Sequence, residues 1–194
     1  MKEREILADL RVLDDEVRAP SSVLEMVLRR LQLGDEYALL DTLLGPLYVA
    51  WNGEGISAVM RTPSGEQFES RFRERFDRPI RTAHEVPCDL GDKVDLRGLS
   101  EFEQAVLLKA REIPRGQVRT YGWIASEIGR PLAVRAVGTV LRKNPVPVFI
   151  PCHRVVRSDG QLGQYALGGT AQKAAILSAE GVAVDETGRV ARSA

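Results

Sequence analysis

Pro151-Cys152-His153-Arg154-Val155 sets a cysteine between a proline and a histidine, with Arg154 and Arg157 close by. An inert structural cysteine needs no such neighbours; a reactive thiol held against an acidic polymer has a use for all of them. The lead-in, Asn144-Pro-Val-Pro-Val-Phe-Ile-Pro151, carries prolines at 145, 147 and 151. Each fixes φ and bars helix, so the chain is expected to reach Cys152 extended and stiff. A thiol on a rigid approach is pre-organised for chemistry. Free thiols ionise near pH ~8.5, and an adjacent imidazole or a helix N-terminus lowers that value. Neighbouring residues point in different directions in either regular structure, so a direct Cys152–His153 bond is not assured and a bridging water is the other link. The competing reading is an unreactive cysteine near a core histidine.

Glu180 falls in the last turn of a helix expected over 170–180, where a carboxylate opposes the macrodipole at a cost of about 0.3–1 kcal/mol. Such a place suggests another partner, and His153 is the single histidine in that half of the chain. His84, Cys88, Cys152 and His153 are four candidate metal ligands. Adjacent Cys-His is poor geometry for one tetrahedral ion and there is no CxxC pair, so no metal is expected. Two cysteines 64 positions apart make no disulfide framework, and a reducing cytoplasm is the expected setting. No apolar run approaches the roughly 18 residues of a membrane span. The start, Met1-Lys-Glu-Arg-Glu, lacks the apolar core of a signal peptide.

The chain is neutral overall, with 27 basic and 27 acidic side chains, but the charge is uneven. Residues 1–100 hold 14 basic and 19 acidic groups, whereas Lys109 to Arg157 holds ten basic and only two acidic ones, Glu112 and Glu127. A basic stretch within a neutral protein is the footprint of polyanion binding, with a solvated basic face as the alternative.

Thr120 can cap a helix over Tyr121 to Ile128. Gly129-Arg130-Pro131 turns the chain, and a second helix runs from Ala133 to Lys143, a helix-turn-helix candidate. The second helix presents Arg135, Ala136, Gly138 and Thr139. Such a face has little with which to read bases but permits close approach to a groove, which favours backbone and shape over sequence. Simple helix packing through small residues is the other account. Ser158-Asp159-Gly160 reads as a hairpin tip, and Gly181 ends the last helix.

Further toward the N-terminus, residues 1–36 read as two helices, the second opened by the capping pair Ser22 and Glu25. Tyr37 to Leu40, Leu47 to Trp51 and Ile56 to Met60 are short apolar runs separated by Gly45-Pro46 and Asn52-Gly53, hence strands and turns. Phe68, Phe72 and Phe76 recur four apart as the core stripe of an otherwise charged helix. Residues 77–98, with Pro79, Pro87, Gly91 and Gly98, read as an interdomain connection. Ser100 and Glu103 form a further capping pair.

Asn144 through Val156, preceded by Arg135-Ala-Val-Gly138, resembles the signature of the O6-alkylguanine-DNA alkyltransferases, or methylated-DNA–protein-cysteine methyltransferases. The likeness runs from about Tyr37 to Gly181. It is supported by Leu43-Leu-Gly-Pro-Leu47 and Trp51-Asn-Gly-Glu-Gly-Ile56, which resemble that family's first hairpin. The resemblance implies an α+β protein: a small antiparallel sheet-plus-helix domain, RNase H-like, over 37–98, then a winged-helix domain over 99–184. Residues 1–36 would be an N-terminal helical extension and 185–194 a tail. It implies direct damage reversal, in which an O6-alkylguanine is flipped from duplex DNA and its alkyl group passes irreversibly to Cys152.

By the same likeness His153 would take the thiol proton through a water, oriented by Glu180. Tyr121 would protonate the leaving guanine at N3 and help turn the nucleotide. Arg135 would fill the gap in the stack, and Asn144 would brace the turn before the active-site strand. Thr120, Tyr121, Arg135, Ala136 and Gly138 would meet DNA. Leu141, Pro147, Val155, Tyr165, Ala166 and Leu167 would form the pocket, with backbone groups of Cys152, Val155 and Ala166 recognising the base. Displacement at an alkyl carbon needs a soft thiolate and a stabilised leaving group, and no cofactor. The partner implied is double-stranded DNA carrying the lesion, with no membrane and a monomeric protein.

Residues 1–36 precede the family's usual first strand. The loop Gly163 to Gly169 is one residue longer than in some members, which lets Leu167 narrow or reshape the pocket. The structural zinc of some relatives finds no support in this sequence. Three other readings stay open: a non-enzymatic relative that flags alkylated bases, although such relatives replace the cysteine; a helix-turn-helix regulator using Cys152 as a sensor; and a cysteine hydrolase.

Overall fold

A computed structural model describes residues 34–88 and 90–190. The two helices expected within 1–36 fall almost wholly outside the described residues; the first strand already begins at Asp35. From Asp35 onward the chain forms one compact unit.

The strands are β1 (Asp35–Thr42), β2 (Gly45–Asn52) and β3 (Gly55–Met60), an antiparallel meander whose turns fall where Gly45-Pro46 and Asn52-Gly53 break the pattern. Helix α1 (Gly65–Phe76) starts at Ser64, whose side chain accepts from Gln67 N–H, and buries Phe68 and Phe72. Alternate residues of the meander serve opposite faces. Tyr37, Ala50 and Ala58 face Phe68 and Phe72 in one core, whereas Ala38, Val49, Trp51 and Val59 join the main core with the later helices.

The connection expected over 77–98 is not free of regular structure. Ile80–Thr82 forms β4, parallel to β1 with Asp35 opposite Ile80, giving the sheet order β3-β2-β1-β4. Three residues after Pro79 are too few to show a period, so the pairing partner alone makes this strand. At the other edge Val94 bridges to Ile56. The connection is fastened by a buried polar cluster. Asp35 accepts from Ser57 Oγ at 2.5 Å and Asn52 Nδ2 at 2.9 Å, and the same amide donates to Asp95 at 2.8 Å. Arg78 lies between the carboxylates, 3.2 Å from Asp35 and 2.9 Å from Asp95.

Helix α2 (Glu101–Arg111) carries the expected reciprocal cap of Ser100 and Glu103. A short strand, β5 (Arg119–Thr120), leads into α3 (Tyr121–Glu127), whose Thr120 cap accepts from Trp123 N–H at 3.0 Å. Helix α4 (Val134–Arg142) buries Val137, Val140 and Leu141 and leaves Arg135, Ala136 and Thr139 exposed. After a 3-10 turn at Cys152–Arg154, β6 (Val155–Val156) pairs with β5 in parallel. The turn at Ser158-Asp159-Gly160 is closed by Arg157 N–H donating to Gln161 O at 3.0 Å. Helix α5 (Gly169–Ala179) ends at Glu180, and Gly181 follows with φ of +85°. Beyond it Val184 bridges to Val190 and Arg189 to Gln161, so the described part of the expected tail folds back on the protein.

Candidate active site

The approach to Cys152 is stiff but turned rather than extended. Ile150 N–H donates to Val146 O at 2.9 Å, and between them Val148 adopts φ of +81°. Proline presets φ for turns as readily as for extended chain, which is why three prolines did not discriminate. A β-branched residue avoids the left-handed region, and holding one there costs about 1–3 kcal/mol. Buried Asn144 spans the turn, its Nδ2 donating to Ile150 O and its Oδ1 accepting from Val146 N–H, both at 3.0 Å. The same side chain also works to lower the Cys152 thiol. Asn144 follows the C-cap residue Lys143, so it ties the end of α4 to the turn that leads to Cys152.

Cys152 is 5% exposed. Burial pushes its thiol up, while Asn144 and the charge of Lys173 pull it back down. His153 is also buried, with Nε2 3.2 Å from Glu180 Oε1. Its Nδ1 is buried with no hydrogen-bond partner among the described residues. Burial holds the imidazole below its ordinary value, against the pull of Glu180, so the neutral ring that can accept a proton is favoured. Burial works to raise the Glu180 carboxyl, but hydrogen bonds from Arg154 and His153 outweigh it and keep the group ionised.

Tyr121 lies against α4 beside Gly138, where a Cβ would stand 3.8 Å from the ring, an ordinary contact. At Gly163 a Cβ would run into the Tyr121 hydroxyl and stand 3.3 Å from its ring carbon, so this loop position requires glycine for space. Burial, then the charge of Cys152, raises the Tyr121 phenol and keeps it a proton donor. Tyr165 packs edge-on against His153, ring centroids 5.9 Å apart. Its buried hydroxyl has no hydrogen-bond partner among the described residues. Leu141, Val155 and Leu167 are buried in the core that includes Cys152; Pro147 is buried too, and Ala166 is exposed on the loop.

Arg135 and Ala136 are on the exposed face of α4, whereas the thiol is buried. The basic stretch is less available than its charge suggests. Lys109 pairs with Glu112 at 2.7 Å, Arg111 with Asp92 at 2.6 Å and Arg157 with Asp159 at 3.1 Å. Arg154 is bound to Glu180. Arg130, Arg135, Arg142 and Lys143 are exposed on or beside α4. His84 and Cys88 are exposed on the connection, while Cys152 and His153 are buried; among the described residues no three His, Cys, Asp or Glu side chains gather as a metal site. No helix among them is long and apolar enough to cross a membrane.

Sequence reasoning passed over Lys173 and the pairing of Arg154. The signal for Lys173 is its place one turn before Leu177 on the buried stripe of α5. Arg154 carried no such signal, because its partner is 26 residues away.

Known proteins are similar to this chain in sequence and in fold. Residues 101–182 match the family model for the 6-O-methylguanine DNA methyltransferase, DNA binding domain. The methylated-DNA–protein-cysteine methyltransferase of Methanosarcina acetivorans is 33% identical over 141 residues, covering 68% of this chain and 90% of the relative. That of Mycobacterium bovis is 44% identical over 164 residues, 74% of this chain and 91% of the relative. The crystal structure of Mycobacterium tuberculosis OGT in complex with DNA superposes with a TM-score of 0.54 at 28% identity, over 75% of this chain and 92% of that one. Likeness at this level, over nearly the full length of two relatives, means that the chain belongs to the methylated-DNA–protein-cysteine methyltransferase family, whose members repair DNA by moving an alkyl group onto a cysteine of their own.

Proposed function

We propose that Cys152 is the acceptor and that the substrate is duplex DNA carrying an O6-alkylguanine, flipped from the stack toward Val155, Tyr165 and Leu167. The observation that carries this reading is the buried thiol, reached through a turn that Asn144 spans, directly beside a buried imidazole that is itself held by Glu180. Sγ attacks the alkyl carbon, the carbon–O6 bond breaks with its electron pair leaving on guanine, and a thioether forms. The thiol proton departs through a water to His153, and the Tyr121 hydroxyl supplies a proton to N3 of the leaving base. A thioether is a poor leaving group, so each molecule acts once.

The relative solved with DNA supports duplex DNA as the partner of this chain. In our reading α3 and α4 form a winged-helix module over 99–184, with the turn at 157–160 as its wing. Arg135 fills the stack, while Thr120, Ala136 and Gly138 let the backbone approach. The sheet with α1, over 37–98, is an RNase H-like support. A monomer in a reducing cytoplasm suits a free buried thiol.

The test is intact-mass analysis after incubation with a duplex containing O6-methylguanine. One added methylene per molecule, on the Cys152 peptide and with Cys88 unmodified, is the expected result. Cys152→Ser should bind the duplex without transfer. Repeated turnover, or label on Cys88, overturns the reading.

A further inference from the structure

Lys173 has its whole side chain buried, at 0% exposure. Its Nζ donates to the Val155 carbonyl at 2.6 Å and lies 6.0 Å from the Tyr121 ring centroid. A lysine inside a core normally pairs with a carboxylate or gives up its proton. Among the described residues the ionisable group that bears on its charge is not a carboxylate but the thiol of Cys152. Glu180, the acid nearest in function, is taken by Arg154 and His153.

We propose that Lys173 is the counter-charge of the Cys152 thiolate and, through the Val155 carbonyl, the positioning residue for one wall of the base pocket. This rests on Cys152 being the alkyl acceptor. When the thiol proton leaves, the sulfur acquires a negative charge in a site buried from bulk solvent, where one relay water cannot hydrate it fully, and a buried ammonium offsets that charge. The bond to Val155 O holds the ammonium in place, so nothing has to reorganise when the charge forms. Three groups face this ammonium or feel it: Cys152 from the 3-10 turn, His153 beside it and Tyr121 from α3. The positive charge favours the thiolate and disfavours the imidazolium, so at equilibrium it keeps His153 ready to accept a proton.

The end of the reaction follows from the same balance. A neutral thioether replaces the thiolate, and the ammonium is left without its counter-charge. Burial already draws Lys173 down to about 8, with Cys152 pulling it up. Alkylation removes that upward pull, so Lys173 should release its proton to solvent more readily once the protein is spent.

The experiment uses the full chain with Cys88→Ser, so that Cys152 is the thiol read. The rate of Cys152 alkylation by iodoacetamide is followed against pH for the parent, Lys173→Met and Lys173→Arg. Single-turnover transfer from a saturating O6-methylguanine duplex is measured alongside. Lys173→Met should move the thiol midpoint up by about one pH unit, a factor of ten in thiolate at neutral pH. Transfer should slow by about the same factor, with duplex affinity little changed, and Lys173→Arg should recover part of the midpoint shift. An unmoved midpoint in folded Lys173→Met would reduce Lys173 to a donor for Val155 O and overturn the proposal. If that variant does not fold, the parent decides: the 15N resonance of Lys173 Nζ should titrate at a lower pH after methylation of Cys152, and an unchanged titration overturns the proposal. A methyl group found elsewhere than on Cys152 would instead count against the acceptor assignment.

Discussion

Arg154 grips both carboxylate oxygens of Glu180, with Nε 2.9 Å from Oε2 and Nη2 2.7 Å from Oε1. Its Nη1 donates to Ile113 O at 2.7 Å. A guanidinium with its donors so committed is not available to a phosphate. The motif arginine, expected from sequence to face an acidic polymer, is instead the brace of the carboxylate that holds His153.

Arg154→Met should therefore lower stability and not DNA recognition. Removing one partner of a largely buried ion pair leaves the other charge stranded, at a cost of about 3–5 kcal/mol. The salt dependence of duplex binding should keep its slope. Urea unfolding and binding measured at several salt concentrations check both halves; a slope smaller by about one would make Arg154 a phosphate contact after all.

Gly163→Ala tests whether the Tyr121 hydroxyl must be where it is. Gly163 does not have left-handed backbone, so alanine brings no dihedral strain, only a Cβ in the space of that hydroxyl. Displacing an aligned group by about 1 Å can cost a hundredfold in rate. The expected outcome is transfer slowed to that extent with the variant still folded. Undiminished single-turnover transfer would show that the phenol can shift without consequence.

Much of this architecture is local, and local features were legible. The caps at Ser100 and Thr120, the Phe68–Phe72–Phe76 stripe and the two turns of the meander each arise from residues within one or two helical turns of one another. The motif around Cys152 was legible for the same reason. What escaped was set by partners far along the chain. Strand β4 exists because β1 offers an edge 45 residues earlier. Asp95 meets Asn52 across 43 residues, and no composition or period signals that pairing. Lys173 escaped because residue type argues for the surface, and only the closed site supplies its reason to be inside. Residues 1–33 lie outside the described part of the chain, so the reading of them as two helices stays an expectation.

The polar cluster under the sheet carries its own pH signature. Burial works to raise Asp95, but hydrogen bonds from Arg97, Asn52 and Arg78 outweigh it and hold the carboxyl well below the usual range. Its stabilisation is complete above the unfolded value of about 3.9 and is lost as pH falls toward the folded one. Asp35 runs the other way: burial raises it, so what it contributes is present at low pH and lost as pH rises through its folded value. Asp95→Asn should cost about 3 kcal/mol at neutral pH, since Arg78 loses a buried counter-charge. The variant's stability should also fall less steeply than the parent's below pH ~4. Urea midpoints at neutral and acid pH read the difference; parallel curves would mean that Asp95 does not titrate the fold.

The network behind the thiol predicts a particular acid limb. Burial holds His153 below its unfolded value, against the pull of Glu180. Its contribution to stability is therefore complete above pH ~6.5 and is lost as pH falls toward the folded value. Transfer that uses neutral His153 should likewise persist below pH ~6.5 before declining. Glu180→Gln removes the pull that raises the imidazole, so the acid limb should move to lower pH while the maximal rate drops. His153→Ala should remove that limb and slow transfer further. Residues that act as one unit are not additive, so the double variant should be little worse than the worse single. Single-turnover transfer across pH for the three proteins decides it. Additive losses with an unmoved acid limb would leave Glu180 as no more than an anchor for Arg154.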